Sequence, residues 1–255
     1  MSASVEAGPY DLAASSGEQR NAALCLHGLT GTPYEVRPIA EALAVAGLRA
    51  RGPALPGHHS TPEDCAAAPF GSWLAAARDE CALLRRDHEH VIGVGLSMGG
   101  LATLAMAAEG HYDAIVVIGT PLRLKPPIPQ LVPLLKYVKP YLRKSTGSDI
   151  REAGARARHP SYDVMPLAAV HELCKLQARV RGSLARVLVP TFIAHGARDE
   201  TADPEDAERI RSAIASDVVE LRLYGDSGHV VPVDYDGETL CADVVAFVER
   251  VLSRL

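Results

Sequence analysis

The sequence predicts an α/β fold: a mostly parallel, doubly wound sheet with a small helical cap. Apolar runs alternate with helical segments along the chain, which is typical of repeated strand–helix–strand units. Residues 114–119 form an unbroken apolar run, as expected for a strand that is covered on both faces of its sheet. Residues 91–109 combine a short apolar strand, a Gly-x-Ser-x-Gly turn and an apolar helix. Ligands bind at the carboxyl ends of the strands in such folds, and we expect the functional site there.

The size and composition of the chain fit one large domain. It has 255 residues, of which 47% are hydrophobic and 22% are charged, so a sizeable core can be buried. The formal net charge of -5 gives no electrostatic basis for binding nucleic acid. No segment reaches the apolar length of a membrane span, and residues 1–9 lack a basic region followed by an apolar run. The sequence therefore predicts a cytoplasmic protein without a stable membrane anchor.

The cysteines favour the same compartment. They are odd in number, scattered along the chain and form no Cys-x-x-Cys pair, which favours reduced thiols over disulfides or a zinc site. They are Cys25, Cys65, Cys81, Cys174 and Cys241.

The first half of the chain carries the strand–helix alternation. The apolar run 22–26 predicts a central strand, which leads into a loop at 27–33. Gly28 and Gly31 let this loop turn tightly and leave backbone N–H groups free to point at a ligand. The other elements expected before the Gly-x-Ser-x-Gly turn are a helix at 36–46 that Gly47 ends, an extended segment at 48–55, a turn-rich loop at 56–59 and a helix at 73–87.

The Gly-x-Ser-x-Gly motif is Gly95-Leu96-Ser97-Met98-Gly99. The motif alone occurs by chance in many chains, but here it lies between a strand and a helix at 101–109. Glycines flank the serine because the turn is too sharp for side chains, and the serine itself is held in a strained conformation. This geometry exposes the Ser97 hydroxyl above the start of the helix and predicts a nucleophile.

The alternation stops at Thr120. Prolines and apolar residues follow, and no strand pattern returns until residues 187–194. We expect residues 120–186, called the inserted segment below, to form a cap over the carboxyl edge of the sheet, with residues 1–119 and 187–255 forming the core domain. Its apolar residues either line a ligand pocket or pack the cap onto the core domain, and the sequence leaves both possibilities open.

The strand–helix pattern resumes after the inserted segment. The expected elements are a strand at 187–194, a helix at 204–215, a strand at 218–224 and a helix at 240–252. The loop after the first strand carries Asp199, and the loop after the second carries His229.

A reactive serine needs two further groups. A base must take the hydroxyl proton during attack, and an acid must fix the tautomer of that base and stabilise its charged form. In a hydrolase built on this turn the order is serine, acid, histidine, each at the end of a different strand. Ser97, Asp199 and His229 satisfy that order and are the predicted catalytic residues. Asp226 also lies close to His229 along the chain but not at a strand end, and Asp203 before a proline resembles a helix cap.

The other nine histidines all precede Asp199 and are poorer candidates for the base. We expect His27 to hydrogen-bond the backbone of its own loop. We expect His88 and His90 to be solvated.

The negatively charged intermediate of such a reaction needs two hydrogen-bond donors. The first expected donor is the backbone N–H of Met98, which directly follows the serine at a helix N-terminus. The second is expected from the loop at 27–31, at the N–H of Leu29.

Several motifs together resemble the small bacterial carboxylesterase and monoacylglycerol lipase group of the α/β-hydrolase superfamily. The resemblance covers nearly the whole chain, and its residues are His27–Pro33 with Arg37-Pro38, Gly57-His58, Gly95–Gly100, Gly147-Ser148-Asp149, Tyr162–Pro166 and Ser227–Val230 with Val233–Asp236. It implies the α/β-hydrolase fold and an ester substrate.

The resemblance also implies a role for Asp163. In bacterial monoacylglycerol lipases an acidic residue of the cap contacts the glycerol head group, and Asp163 falls at that position. The chain has Asp where Glu is expected there, and Leu29 where an aromatic residue is usual. A helix cap or a surface charge is an equally simple interpretation of Asp163.

The resulting hypothesis is a serine esterase that cleaves carboxylic esters with an apolar acyl chain, such as monoacylglycerols or simple alkyl esters. No metal or organic cofactor is expected, and the expected partner is a small-molecule ester rather than nucleic acid or a membrane. The alternatives are a thioesterase or acyltransferase on the same fold and a non-catalytic binding protein. The sequence predicts no oligomeric state.

Overall fold

A computed structural model describes residues 6–15, 20–144 and 147–255. The first five residues, part of the N-terminal stretch considered above, lie outside this set. The strands in the described part of the chain are Tyr10–Leu12 (β1), Asn21–Leu26 (β2), Arg49–Gly52 (β3), His90–Leu96 (β4), Ala114–Ile118 (β5), Tyr141–Arg143 (β6), Val164–Pro166 (β7), Thr191–Gly196 (β8) and Val219–Tyr224 (β9).

Seven of these strands form one sheet in the order β1-β3-β2-β4-β5-β8-β9. Only β1 is antiparallel to its neighbour, and every other pairing in the described sheet is parallel. The predicted fold class, a mostly parallel doubly wound sheet, is therefore confirmed. Because the parallel strands end at one edge, the loops that follow β2, β4, β5, β8 and β9 meet there.

Helices cover both faces of the sheet. In the described part of the chain they are Arg37–Val45 (α1), Pro62–Ala67 (α2), Phe70–Asp87 (α3), Met98–Ala107 (α4), Ile128–Val138 (α5), Ala153–Arg158 (α6), Leu167–Arg181 (α7), Glu205–Ala213 (α8) and Gly237–Leu252 (α9). Short 3-10 helices lie at Pro33–Val36, Leu184–Arg186 and Val231–Val233.

The core has two halves because each strand presents alternate residues to opposite faces. On β5, Ile115 and Val117 pack with residues of α3, α4 and α7, whereas Val116 and Ile118 pack with residues of α1 and α9. All four side chains are fully buried. The unbroken apolar run of β5 is thus the consequence of burial on both faces, as its sequence predicted.

The structure also corrects several local expectations. Strand β8 begins at Thr191 rather than at residue 187. The residues before it follow the 3-10 helix that ends at Arg186, and pairing with β5 starts only where the Pro190 carbonyl accepts the Ile115 N–H. Strand β1 and helix α2 were not predicted from the sequence. His88 is buried rather than solvated, and its Nδ1 lies 2.8 Å from the Leu84 carbonyl oxygen at the end of α3.

The inserted segment contains α5, α6, α7 and the small antiparallel sheet of β6 and β7. Helix α7 packs against α4, where Leu173 and Leu176 join the same apolar cluster as the residues of α4. Helix α5 instead leaves Tyr137 and Val138 largely exposed, with 78% and 84% of their surface accessible. In the described residues no helix has the length and apolar character needed to cross a membrane.

The packing of Phe192 on β8 predicts a large loss of stability on truncation. Its fully buried ring contacts Phe247 of α9, with ring centroids 5.5 Å apart. We expect Phe192→Ala to lower the free energy of unfolding by roughly 3–5 kcal/mol, because both transfer energy and packing are lost. Urea denaturation measures the change. Leu223→Ala is the control, since Leu223 lies on the neighbouring strand and is 56% exposed; equal losses in the two variants would contradict the assigned core.

Candidate active site

Ser97 occupies a sharp turn between β4 and α4. Its backbone angles are φ 55° and ψ −114°, in a region that side-chain-bearing residues rarely adopt. Such a conformation costs about 1–3 kcal/mol and persists only where the surrounding structure enforces it. Here the Ser97 N–H donates to the Ile118 carbonyl of β5 at 2.8 Å, and α4 starts at the very next residue.

The glycines of the motif are required by close packing. A Cβ at Gly95 would collide with the backbone of Gly99, and a Cβ at Gly99 would collide with the carbonyl group of Leu26 on β2. The first turn of α4 therefore lies directly on the sheet. This explains why α4 begins at Met98, three residues before the predicted start at 101, despite two glycines in its first turn.

The loops after β2 and β9 both reach the end of β4 and β5. A Cβ built at Gly28 would lie 3.4 Å from the Cβ of Ser97, which places the loop after β2 beside the serine. Gly119 follows Ile118, whose carbonyl accepts the Ser97 N–H. Gly119 also lies next to the imidazole of His229, since a Cβ built at Gly119 would be 3.3 Å from His229 Nδ1. Ser97 and His229 are each only 8% exposed.

The structure brings Asp199 and His229 together. His229 Nδ1 lies 2.7 Å from Asp199 Oδ2, and the other carboxylate oxygen accepts the N–H groups of Thr201 and Ala202 at 2.8 and 2.7 Å. These contacts fix the carboxylate in the turn after β8. With Nδ1 donating to Asp199, His229 is left with Nε2 as a proton acceptor.

Neither of the competing acids makes this contact. The Asp226 side chain is 73% exposed and its nearest charged partner is Arg198, at 3.7 Å. Asp203 accepts the N–H of Glu205 at the start of α8 and pairs with Arg209, which is the cap-like role that its sequence suggested.

The charges around Asp199 and His229 shift the pKa of both groups. Burial alone would lower the pKa of His229, but the charge and hydrogen bond of Asp199, helped by Asp149 and Glu35, outweigh it and raise that pKa. Burial opposes the charged form of Asp199 as well, yet the nearby imidazoles and the Ala202 N–H hold the pKa of this carboxyl well below its usual range. The arrangement favours an ionised acid beside a basic imidazole.

A second imidazole touches the same carboxylate. His195, at the end of β8, is almost fully buried, and its Nε2 lies 2.9 Å from Asp199 Oδ2 without the alignment of a hydrogen bond. No local pattern distinguished His195 from the other histidines, because a histidine four residues before an acid is ordinary in a strand-to-loop segment.

The two expected anion-binding donors belong to the residue after the serine and to the loop after β2. Met98 is the buried first residue of α4, and Leu29 is half-buried in the loop after β2. In the residues that the structure describes, neither backbone N–H donates to a protein acceptor. Since buried N–H groups are nearly always paired, two free donors beside Ser97 suit a negatively charged ligand atom.

The buried carboxylate of Glu35 stabilises the loop after β2. Its Oε2 accepts the Gly28 N–H at 2.7 Å, and a Cβ at Gly31 would collide with its carboxylate. Burial would raise the pKa of Glu35, but the hydrogen bond and charge of His159 and further contacts lower it to about 2. Glu35 was not predicted from the sequence, because a single acid near a turn is ordinarily solvated.

The same loop is tied to the inserted segment. His159 Nε2 lies 3.1 Å from Glu35 Oε1, and the Tyr162 N–H donates to the Thr30 carbonyl at 3.1 Å. Lys144 Nζ donates to the Thr30 hydroxyl at 2.8 Å. His27, as expected, bonds to its own loop, with Nδ1 2.8 Å from the Gly28 carbonyl oxygen.

Asp163 is not brought to the other candidates. It is exposed beside β7, and its backbone carbonyl accepts the N–H of Lys144 at 2.9 Å. Across residues 6–15, 20–144 and 147–255, no contact joins its carboxylate to Ser97, Asp199 or His229, and no cluster of His, Cys, Asp and Glu is arranged to hold a metal ion.

Comparisons with known proteins complement this geometry. Residues 17–236 match the model of the Hydrolase_4 family, described as serine aminopeptidase S33. The chain is 32% identical over 215 residues to the thermostable monoacylglycerol lipase of Bacillus sp. (strain H-257), covering 84% of each protein. It is 26% identical over 230 residues to a carboxylesterase of Bacillus subtilis (strain 168), covering 90% of this chain and 92% of that one. A solved structure of the metagenome-derived lipolytic enzymes LipS and LipT superposes with a TM-score of 0.89 at 29% identity, covering 96% of this chain and 98% of that chain.

The low pKa of Glu35 predicts a pH-dependent contribution to stability. A carboxyl with a pKa of about 2 in the folded state and an ordinary value of 4.5 when unfolded stabilises the fold above the higher value. This contribution is lost as the pH falls from about 5 to about 2, and it is on the order of 3 kcal/mol at most. We expect Glu35→Gln to be less stable near neutral pH and to lose less stability across that interval.

Urea denaturation at several pH values tests this expectation. Glu249→Gln, at an exposed position on α9, is the matched control and should keep the pH dependence of the unaltered chain. Parallel stability curves for Glu35→Gln and the unaltered chain would show that Glu35 does not carry the effect.

Proposed function

Since the chain belongs to the Hydrolase_4 family, described as serine aminopeptidase S33, we propose that it is a serine esterase that cleaves esters with an apolar acyl chain through an acyl-enzyme intermediate. At the coarser level the chain is a carboxylic ester hydrolase of the α/β-hydrolase superfamily. The observation that carries the serine mechanism is the 2.7 Å contact between His229 and Asp199, at the sheet edge where Ser97 is held in a strained turn.

In the proposed reaction Ser97 Oγ attacks the ester carbonyl carbon. His229 Nε2 takes the hydroxyl proton, and Asp199 holds the ring and stabilises its charged form. The carbonyl oxygen becomes negatively charged and binds the N–H groups of Leu29 and Met98, where the loss of one donor typically costs about 3 kcal/mol of transition-state stabilisation. The carbon–oxygen bond to the alcohol then breaks, and His229 returns its proton to the departing alkoxide.

Water completes the cycle. His229 takes a proton from a water molecule, whose oxygen attacks the acyl carbon of the Ser97 ester. The second tetrahedral intermediate breaks down to the carboxylic acid, and the proton returns to Ser97 Oγ. The chain's own residues supply every proton transfer, so the mechanism requires neither a metal nor an organic cofactor.

The preference for an apolar acyl chain is supported by the surroundings of Leu29. Its side chain packs against a small apolar cluster of the inserted segment, formed by Val132, Leu167 and Val170. An acyl chain bound to Ser97 beside Leu29 would meet this apolar surface. We propose that the inserted segment acts as a cap, and that its apolar residues serve both packing and substrate binding.

Monoacylglycerols are the proposed ester class, and simple alkyl esters are the broader alternative. The support is the similarity to the Bacillus monoacylglycerol lipase, together with an exposed Asp163 whose carboxylate is available to a glycerol hydroxyl. We also propose a cytoplasmic location, because all five cysteines, each in the described part of the chain, are free.

The proposed nucleophile predicts the effect of Ser97→Ala. We expect hydrolysis of p-nitrophenyl butyrate to fall by at least about a thousand-fold, because no other hydroxyl is held at the turn. Labelling by a fluorophosphonate should disappear as well. Ser72→Ala is the control, since Ser72 is half-buried near the start of α3, where its hydroxyl donates to the Pro69 carbonyl. Ordinary turnover by Ser97→Ala would refute the mechanism, and an unaltered chain that is never labelled would indicate a non-catalytic binding protein.

The proposed substrate class predicts a rate profile. Monoacylglycerols should be cleaved faster than methyl or ethyl esters of the same acyl length, and faster than matched thioesters and amides. Asp163→Asn should raise the KM for monoacylglycerols by about two- to tenfold, the equivalent of one hydrogen bond, and leave alkyl esters unchanged. Initial rates across acyl lengths measure both effects. A flat profile would leave only a general esterase, and a preference for thioesters would favour a thioesterase.

A further inference from the structure

Asp149, in the inserted segment, binds both loops that carry the Asp199–His229 pair. Its Oδ2 accepts the N–H groups of Glu200 and Thr201 at 2.8 and 3.0 Å, and the Thr201 hydroxyl at 3.1 Å. These donors lie in the turn that directly follows Asp199. The carboxylate therefore anchors the acid-bearing turn through three hydrogen bonds.

The backbone of the same residue holds the other loop. The Asp149 carbonyl accepts the N–H of His229 at 3.0 Å and that of Val230 at 3.3 Å. Gly228 permits this approach, because a Cβ there would collide with Asp149 Oδ1. One residue of the inserted segment thus contacts the histidine-bearing loop through its main chain and the acid-bearing turn through its side chain.

The segment that carries Asp149 is itself fixed. Asp234, which lies beyond the histidine-bearing loop and is 9% exposed, accepts the N–H groups of Arg151, Glu152 and Gly228, each at 2.8 Å. The two catalytic loops are also joined directly, where the Arg198 N–H donates to the Ser227 carbonyl at 3.2 Å. Removing the Asp149 carboxylate would therefore free the turn after Asp199 from this contact, while the hydrogen bonds of Asp234 and of Arg198 would keep the loops folded.

We propose that Asp149 is a positioning residue of the active site, which sets the spacing between Asp199 and His229 and adds negative charge beside the imidazole. This inference rests on the proposed function, because it assigns Asp149 a role through that pair. A general base works only when its ring is held within a few tenths of an ångström of the productive position, and displacement by about 1 Å can cost a hundredfold in rate.

The charge of Asp149 should also affect the pH dependence of activity, which a purely structural role of this side chain would not. The acidic groups that face His229 are Asp199 after β8, Asp149 in the inserted segment and Glu35 in the 3-10 helix after β2, each of which favours the charged imidazole. Asp234 borders the same loop. Removing the Asp149 charge while keeping its shape should therefore lower the pKa of His229 and extend activity to lower pH.

Two substitutions of Asp149 distinguish the effect of its hydrogen bonds from the effect of its charge. Asp149→Asn keeps an oxygen acceptor and removes the charge, so kcat on its plateau should stay within about threefold while the acidic limb of kcat/KM moves to lower pH. Asp149→Ala loses the acceptor too, so its plateau kcat should fall by about ten- to a hundredfold with KM little changed. Fluorophosphonate titration counts the active sites, and kcat is expressed for each titrated site. A partly unfolded preparation would therefore not imitate a positioning defect.

Asp226→Asn is the matched control, because it removes an exposed carboxylate three residues from His229 along the chain. Its acidic limb and its kcat should match those of the unaltered chain. The inference is overturned if both Asp149 variants have unaltered kcat and an unaltered acidic limb, or if Asp226→Asn moves the limb equally. An active unaltered chain with normal Asp149 variants would remove this inference alone, whereas an unaltered chain without esterase activity would remove the proposed function together with it.

Discussion

The backbone turn at Ser97 sets the geometry of the whole site. Because α4 starts immediately after the serine and lies directly on β2 and β4, no side chain fits at Gly95 or Gly99. The turn is held in place by the hydrogen bond from the Ser97 N–H to Ile118, and hence by the parallel pairing of β4 with β5. A strained residue is retained at this point because the sheet and the helix on either side leave it no other conformation.

The parts of the molecule that follow from local chemistry were accessible from the sequence. The apolar run of β5 indicated burial on both faces, and the order of Ser97, Asp199 and His229 suggested three loops at one sheet edge, an arrangement whose catalytic roles remain proposals. The elements missed were those that depend on tertiary contacts. Strand β1 has three residues, of which only Tyr10 is buried, and it exists because it pairs with β3.

The same distinction applies to charged side chains. Glu35 carries no local pattern that distinguishes it from a solvated surface acid, and the motif Gly147-Ser148-Asp149 indicated a family resemblance but no role for the Asp149 side chain. Each carboxylate accepts backbone N–H groups from another loop, seven residues away along the chain for Glu35 and more than fifty for Asp149. Such donors stabilise the charged form of a buried carboxylate such as Glu35 or a half-buried one such as Asp149, and loop geometry supplies them where periodicity and propensity do not.

Under the proposed mechanism, the hydrogen bonds between the inserted segment and the loop after β2 would couple substrate entry to stabilisation of the oxyanion. His159 contacts Glu35, and Tyr162 and Lys144 bond to Thr30, so this face of the segment shares hydrogen bonds with the loop that bears Leu29. If the segment swung away as a rigid gate, those bonds would break and the loop would lose part of its support. Under the proposed mechanism, an entry route that keeps these hydrogen bonds would open elsewhere along the inserted segment, away from His159, Tyr162 and Lys144.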